Sequence, residues 1–384
     1  MHTESCSRLE RLWTPLADPE LTNQVRRFAR DVVAPHADEI DRLDLYPQDL
    51  VRQAAALGFT AITLPVEFGG AGAPFSSALA VFEEIGCASA AVAVSMISIF
   101  QAQMMIRLFA SEAVRADYLP RFPQGLLAAY ALTEAAHGSD IRTLDTKAHR
   151  DGGDWVLSGE KHFITSSAGA ELFIILAETE VGVSVFAVPR DAPRLTIYEG
   201  SNSATFGLRN GPHMNLRLDG VRVPAHHLIG TEGKGIRQAV TVLDHSRTIA
   251  AAISLGIARA AFDAAYERAA SRIAFGQHVL QFQGIQWYFA DALSDIDSCR
   301  LLVYHAGRAL DAHLDIDRYG SEAKLKAAAV ATRTAEMAVQ VAGAYGTMVN
   351  APYGRFLRDA KTYEIAGGSA EILKNTIGKY LLKL

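Results

Sequence analysis

The chain has 384 residues, is 49% hydrophobic and 21% charged, and carries a net charge of -5. That length and apolar content allow a large core split between two or three domains, and a weakly acidic balance without a long basic tract excludes a preference for nucleic acid or anionic membrane. No uninterrupted apolar run approaches the ~20 residues of a membrane span, and the first residues, MHTESCSRLERLW, lack a signal-peptide core, so a cytoplasmic protein without a membrane partner is expected.

In chain order, the first region reads as helical. Val25, Phe28, Ala29 and Val32 recur at the spacing of a helix with one buried face. The segment Pro65 to Gly72, PVEFGGAG, is punctuation, its glycines permitting loop conformations. After Tyr130 the apolar period shortens: Leu172 to Leu176 is a compact apolar run, and Val183, Val185 and Ala187, then Met214, Leu216 and Leu218, alternate with smaller or polar neighbours. Val223, Pro224 and the GTEGKG turn at Gly230 to Gly235 end this β region. From Ile236 onward Ala-rich helical stretches dominate, among them Thr248 to Ala270 and Ala323 to Ala344. The expected limits are 1–128 helical, 129–235 β and 236–384 helical. Cys6, Cys87 and Cys299 are scattered without a CxxC pair, which argues for reduced structural thiols and against a disulfide framework or zinc. His226 and His227 follow Pro224 closely in an expected loop, and no metal site is expected.

Five segments carry chemical information: LTEAAHGSD (Leu132 to Asp140), SGEKHFITS (Ser158 to Ser166), RIAFGQHVLQFQ (Arg272 to Gln283), QVAGAYG (Gln340 to Gly346) and PYGRFLRDAKTYEIAGGSAEI (Pro352 to Ile372). In this order they resemble the acyl-CoA dehydrogenase family, and the resemblance runs from about Leu21 to Lys379. It implies an α+β, three-domain fold with an N-terminal helical domain, a middle β domain and a C-terminal four-helix bundle. It also implies FAD. Tyr130, Leu132, Thr133, Gly138 and Ser139 would line the isoalloxazine, whose edge needs hydroxyl and backbone N–H donors, with Phe163 packing on the ring and Thr165 bonding its edge. Arg272, Phe275, Phe282 and Gln283, with Gln340 and Gly343, would hold the pyrophosphate and adenosine of a flavin bound mainly by another subunit, a task that suits a guanidinium. Ser369 and Glu371 would border the flavin. A homo-oligomer follows, a tetramer or a dimer.

The family removes the proton α to a thioester carbonyl with a carboxylate while the β-hydride leaves for the flavin. One branch supplies it from a C-terminal EGTSE run, where this chain has Gly367. Another, similar to isovaleryl-CoA dehydrogenase, supplies it from an LDxER segment, where this chain reads Leu243, Asp244, His245, Ser246, Arg247. Both positions lack a carboxylate. An alcohol such as Ser246 is a poor base unaided, leaving His245, Glu364 and Glu371 as candidates. Asp244 and Arg247 are candidate substrate contacts, and Ser95, Ser98 and Gln101, in what resembles the acyl-pocket helix, could orient a polar substrate.

Three readings remain open. The chain could be an FAD-dependent oxidoreductase of the α,β-carbons of an acyl thioester, on CoA or a carrier protein, with electron-transfer flavoprotein or oxygen as acceptor. It could run the fold without net desaturation, as a desulfinase, cyclising or monooxygenase-type relative; Ile365 to Gly368, IAGG, resembles a desulfinase, but AAVAVSMIS lacks the Arg expected there. It could hold flavin without catalysis.

Overall fold

The computed structural model describes residues 9–201, 203–314 and 317–382; Cys6 lies outside them. The first helices are α1 (Pro19–Phe28), α2 (Ala37–Leu43), α3 (Gln48–Ala56), α4 (Phe75–Ala88), α5 (Ala90–Phe109) and α6 (Glu112–Tyr118). Asp18 caps α1, its side chain accepting from the backbone of Glu20 and Leu21. The apolar stripe read through Val32 slips by one residue, because α1 runs into a π-helical turn at Ala29–Val33 that widens the spacing and buries Val33 instead.

An eight-stranded sheet follows, built from β1 (Ala128–Ala131), β2 (Lys147–Asp151), β3 (Asp154–Ile164), β4 (Leu172–Thr179), β5 (Gly182–Pro189), β6 (Leu195–Tyr198), β7 (Met214–Pro224) and β8 (Leu228–Ile229). The strand order is β6-β7-β3-β2-β4-β5-β8, with β1 paired parallel to β4. β4 and β5 are buried on both faces, which explains the unbroken apolar run from Leu172 to Ala177 in β4 and why Ser184 and Phe186, between Val183, Val185 and Ala187 of β5, are buried too rather than facing solvent. One side of the sheet closes over Trp155, Phe173 and Phe186; the other meets α5 and the helical core.

The C-terminal region is a bundle of α7 (Gly235–Ser271), α8 (Gln283–Asp311), α9 (Asp317–Ala342) and α10 (Tyr353–Ile365), followed by α11 (Ala370–Leu381). A short hairpin pairs Ile273–Ala274 with Gln277–His278 between α7 and α8. The 37-residue α7 is about 55 Å long and packs on α4, α5, α8 and α9. Where α4 crosses α7 the backbones touch: a β-carbon at Gly256 would lie 2.5 Å from the Glu83 carbonyl oxygen. The adjoining buried charges are paired, Glu83 with Arg259 and Arg300, and Glu84 with Arg26 and Arg259. α5 and α7 are apolar and long enough to cross a membrane, yet 78% and 83% of their most apolar windows are buried inside the protein, as core helices are.

Candidate active site

The loop 132–140 is fixed to the end of β3 by a buried ion pair. Lys161 Nζ donates to Glu134 at 2.6 Å and to the Leu132 carbonyl at 3.2 Å, and Glu134 also accepts from the backbone N–H groups of Asp145 and Thr146. Burial pulls the Lys161 amine down to about 8, against the pull of Glu134. Glu134 meets the same burial, which would raise it, but Lys161 and the hydrogen bonds hold it below its ordinary value. Glu134, His137 and Asp145 place ligand atoms within 4.8 Å of one another, but both Glu134 oxygens are already engaged.

With the His162 N–H donating to the Thr133 carbonyl at 2.9 Å, this tether sets Leu132 and Thr133 beside His162 and Phe163. Phe163 has φ 57° and is 49% exposed, and Ser166 has φ 63°; strained residues bracket a large aromatic face held open. Gly138 and Ser139 are exposed, and Tyr130 on β1 is half-buried with a buried hydroxyl that has no partner. Of the site residues taken from the β region, Leu132 and Thr133 are thus tied to β3 beside Phe163, and Tyr130 lies on β1 just ahead of that loop.

A second group lies elsewhere. Arg272 ends α7 with an exposed guanidinium, and a β-carbon at Gly343 would lie 3.1 Å from its Nη1. Among the described residues no carboxylate pairs with Arg272. Phe275, in the hairpin, is 97% exposed and meets Phe282 edge-on at 6.2 Å, just ahead of Gln283 at the start of α8; Gln340 is in the last turn of α9. The hairpin packs on α7, whereas the sheet packs chiefly on α5. An exposed aromatic face in one place and an unpaired guanidinium beside a glycine in the other fit the two ends of a flavin dinucleotide.

The missing-carboxylate positions are built differently from a simple substitution. Gly367 and Gly368 have φ of 70° and 106°, a region side chains disfavour, although a β-carbon at Gly367 would meet nothing within 4 Å. Lys324 of α9 is fully buried, donates to the Gly368 carbonyl at 2.7 Å and fixes this turn. Burial, helped by the nearby Arg247 charge and opposed by Glu364, brings the Lys324 amine down to about 7. Ser369 caps α11 through the Ile372 N–H, and Glu371 in its first turn is exposed. Glu364 pairs with Lys361 at 2.5 Å.

On α7, Ser246 is buried; its hydroxyl donates to the Leu243 carbonyl at 3.1 Å and accepts from Gln101 Nε2 at 3.2 Å. Arg247 bonds Asp244 at 2.6 Å and lies next to Gly368. His245 turns away, donating from Nδ1 to the Thr241 carbonyl at 2.8 Å and packing on Phe75; burial lowers its pKa. Arg247 therefore adjoins the Gly367–Gly368 turn, Ser246 faces Gln101 of α5, and His245 is engaged with its own helix and Phe75.

Sequence reasoning missed the partners of Ser95 and Ser98. Asn210 Nδ2 donates to Ser95 at 2.9 Å, Ser166 donates to Ser98 at 3.3 Å, and Asn210 Oδ1 faces His213 Nε2 at 3.0 Å. Burial lowers His213 to about 4, keeping it neutral. No spacing connects residues 95, 166 and 210; only the packing of α5 on the sheet does. The Arg-Asp pair of the RDAK run is structural: Arg358 clamps Asp41 of α2, and Asp359 accepts from the Leu208 N–H at 2.6 Å.

Comparison with known proteins covers nearly the whole chain. Family profiles described as acyl-CoA dehydrogenase N-terminal, middle and C-terminal domains match residues 18–125, 129–221 and 233–382. An acyl-CoA dehydrogenase of Bacillus subtilis (strain 168) is 36% identical over 369 residues, covering 94% of this chain and 97% of the relative. The structure of butyryl-CoA dehydrogenase from Megasphaera elsdenii superposes with a TM-score of 0.93 at 30% identity, covering 96% of this chain and 99% of that one. A glutaryl-CoA dehydrogenase from Mycobacterium smegmatis in complex with FADH2 gives a TM-score of 0.91 at 25% identity, covering 98% and 96%.

Proposed function

Because the chain belongs to the acyl-CoA dehydrogenase family, we propose that it is an FAD-dependent oxidoreductase acting on the α,β-carbons of an acyl thioester borne by CoA or a carrier protein. The observation that carries this reading is the tie of Leu132 and Thr133 to β3 beside Phe163, with an aromatic face left open. Bound FAD supplies the hydride acceptor. Phe163 would pack on its ring, Thr133, Ser139 and Thr165 would bond its edge, and Arg272 beside Gly343 would neutralise the pyrophosphate.

In such a reaction the α-proton leaves to a base, the β-hydride leaves to the acceptor, and a carbon–carbon double bond forms. The reduced cofactor would pass its electrons to an electron-transfer flavoprotein or to oxygen. With Gly367 and Ser246 at the two base positions, the proton must go to an unconventional group or to the substrate itself. The ring-binding and phosphate-binding residues pack against different elements, which supports a flavin shared between copies of the chain and hence a homotetramer or homodimer.

One observation favours a second reading. The Gly367–Gly368 turn has a backbone shaped for glycine, which supports a relative that performs no net desaturation.

The experiment is anaerobic titration of the purified holoprotein with a panel of CoA and acyl-carrier thioesters, following the flavin absorbance. Bleaching is the expected result. A yellow protein that binds thioesters and never bleaches would refute the oxidoreductase reading and leave the second.

A further inference from the structure

Arg247 of α7 and Lys324 of α9 are 7% and 0% exposed and flank the same residue, Gly368. Lys324 Nζ donates to the Gly368 carbonyl at 2.7 Å, and a β-carbon at Gly368 would lie 3.5 Å from Arg247 Nε and 3.7 Å from its Nη2. Neither cation is fully used. Arg247 bonds Asp244 through Nη1, and its Nε is a buried donor without a partner among the described residues. The Gly368 carbonyl takes one of the three donors of the Lys324 ammonium. The Arg247 charge opposes that of Lys324, while Glu364 of α10, which favours it, is held by Lys361 at 2.5 Å. The turn also has space around it. A β-carbon at Gly367 would meet nothing within 4 Å, and Leu373, against Gly368, lines with Lys324 a cavity of about 280 Å³ whose other cations are Lys326, Arg333 and Lys374. Helix α11 begins two residues after Gly368, so the positive end of its dipole adds to the same field.

We propose that the Nε–Nη2 edge of Arg247 and the Lys324 ammonium form a binding site for one carboxylate group at the Gly367–Gly368 turn. A planar carboxylate accepts two parallel N–H bonds from such an edge, and a lysine adds a third as a point charge. Charge selects a monoanion. Arg247 and Lys324 against Asp244, two cations and one carboxylate, leave a single positive charge, which one carboxylate balances and a dianion exceeds. A neutral amide accepts the same hydrogen bonds but leaves that charge uncompensated.

The test is calorimetric titration of the FAD-loaded protein with sodium acetate and sodium formate at constant ionic strength, at pH 6, below the value near 7 at which Lys324 titrates. Chloride, sulfate and acetamide are the controls. One acetate or formate should bind per chain with a Kd on the order of millimolar. Arg247→Gln and Lys324→Met should each weaken it on the order of tenfold, the worth of one charge-assisted hydrogen bond; if Arg247→Gln does not fold, Lys324→Met decides alone. Two further arms separate the sources of the carboxylate. One carried on an acyl group makes succinyl-CoA displace acetate and lose on the order of tenfold more affinity than butyryl-CoA in Arg247→Gln. A free carboxylate instead leaves acetate binding equally well with either thioester in place. No saturable binding of acetate or formate, equal binding of chloride, sulfate or acetamide, or unchanged affinity in the folded variants would overturn the inference. None of these outcomes involves flavin reduction, so the oxidoreductase reading would stand or fall separately.

Discussion

Lys324 offers a quantitative test of how the Gly367–Gly368 turn is held. Its amine is buried, donates to the Gly368 carbonyl, and titrates near 7 where an exposed lysine would titrate near 10.5. The charged form is thus disfavoured in the folded protein. Between those two values the unfolded chain binds the proton and the folded one does not, so stability rises with pH and is lost as pH falls toward 7. The full slope is about 1.4 kcal/mol per pH unit; with half the lysine already neutral at pH 7, raising the pH to 9 should add roughly 2 kcal/mol. Lys324→Met removes the titration, and comparing the variant with the unmodified protein cancels contributions from Lys161 and the buried histidines. The assay is urea unfolding of the holoprotein at pH 7 and pH 9, at fixed protein and FAD concentration. The difference between the two proteins should change by about 2 kcal/mol over that range. A parallel pH dependence would mean that Lys324 keeps its charge at pH 7, and the argument from its burial would fall.

The other perturbations address the cofactor and the missing base. Arg272→Ala should lower flavin occupancy, measured as the ratio of visible to protein absorbance; a stoichiometrically yellow variant would remove Arg272 from the cofactor site. Lys161→Met leaves Glu134 buried without its ion-pair partner and should cost roughly 3 to 5 kcal/mol, read as a lower unfolding midpoint together with weaker flavin retention. Unchanged values of both would show that the 132–140 loop does not depend on the pair. Gly367→Glu meets open space but a positive φ, so it should cost about 1 kcal/mol or more of strain and yet raise dehydrogenation of simple acyl thioesters. A variant that holds its flavin and gains nothing would show that the turn cannot present a carboxylate to the substrate.

The order of elements was legible in the sequence because it rests on local physics. Ala-rich stretches propagate helices, the unbroken run at Leu172 to Leu176 marks a strand buried on both faces, and Gly-rich turns separate the regions. Local period failed at Val32, where a π-helical turn added a residue that no side-chain pattern announces, and the alternation at Val183, Val185 and Ala187 did not show that β5 is buried on both faces. The site was legible as residue types in quoted segments: Phe163, Arg272 and the empty positions Gly367 and Ser246 all stand in runs that can be read singly. Their use was not. Lys161 and Glu134 are 27 residues apart, Ser95 and Asn210 are 115 apart, and Lys324 reaches Gly368 across 44. A buried polar atom takes whichever partner packing brings within about 3 Å, whatever its distance along the chain. The sequence by itself determined the elements, their order and the absence of a carboxylate at both base positions. Tertiary structure alone decided that His245 faces its own helix, that burial pulls the Lys324 amine down to about 7 where it holds a glycine turn, and that Gln101 bonds Ser246, because each depends on desolvation and contact between elements that fold from separate stretches of chain.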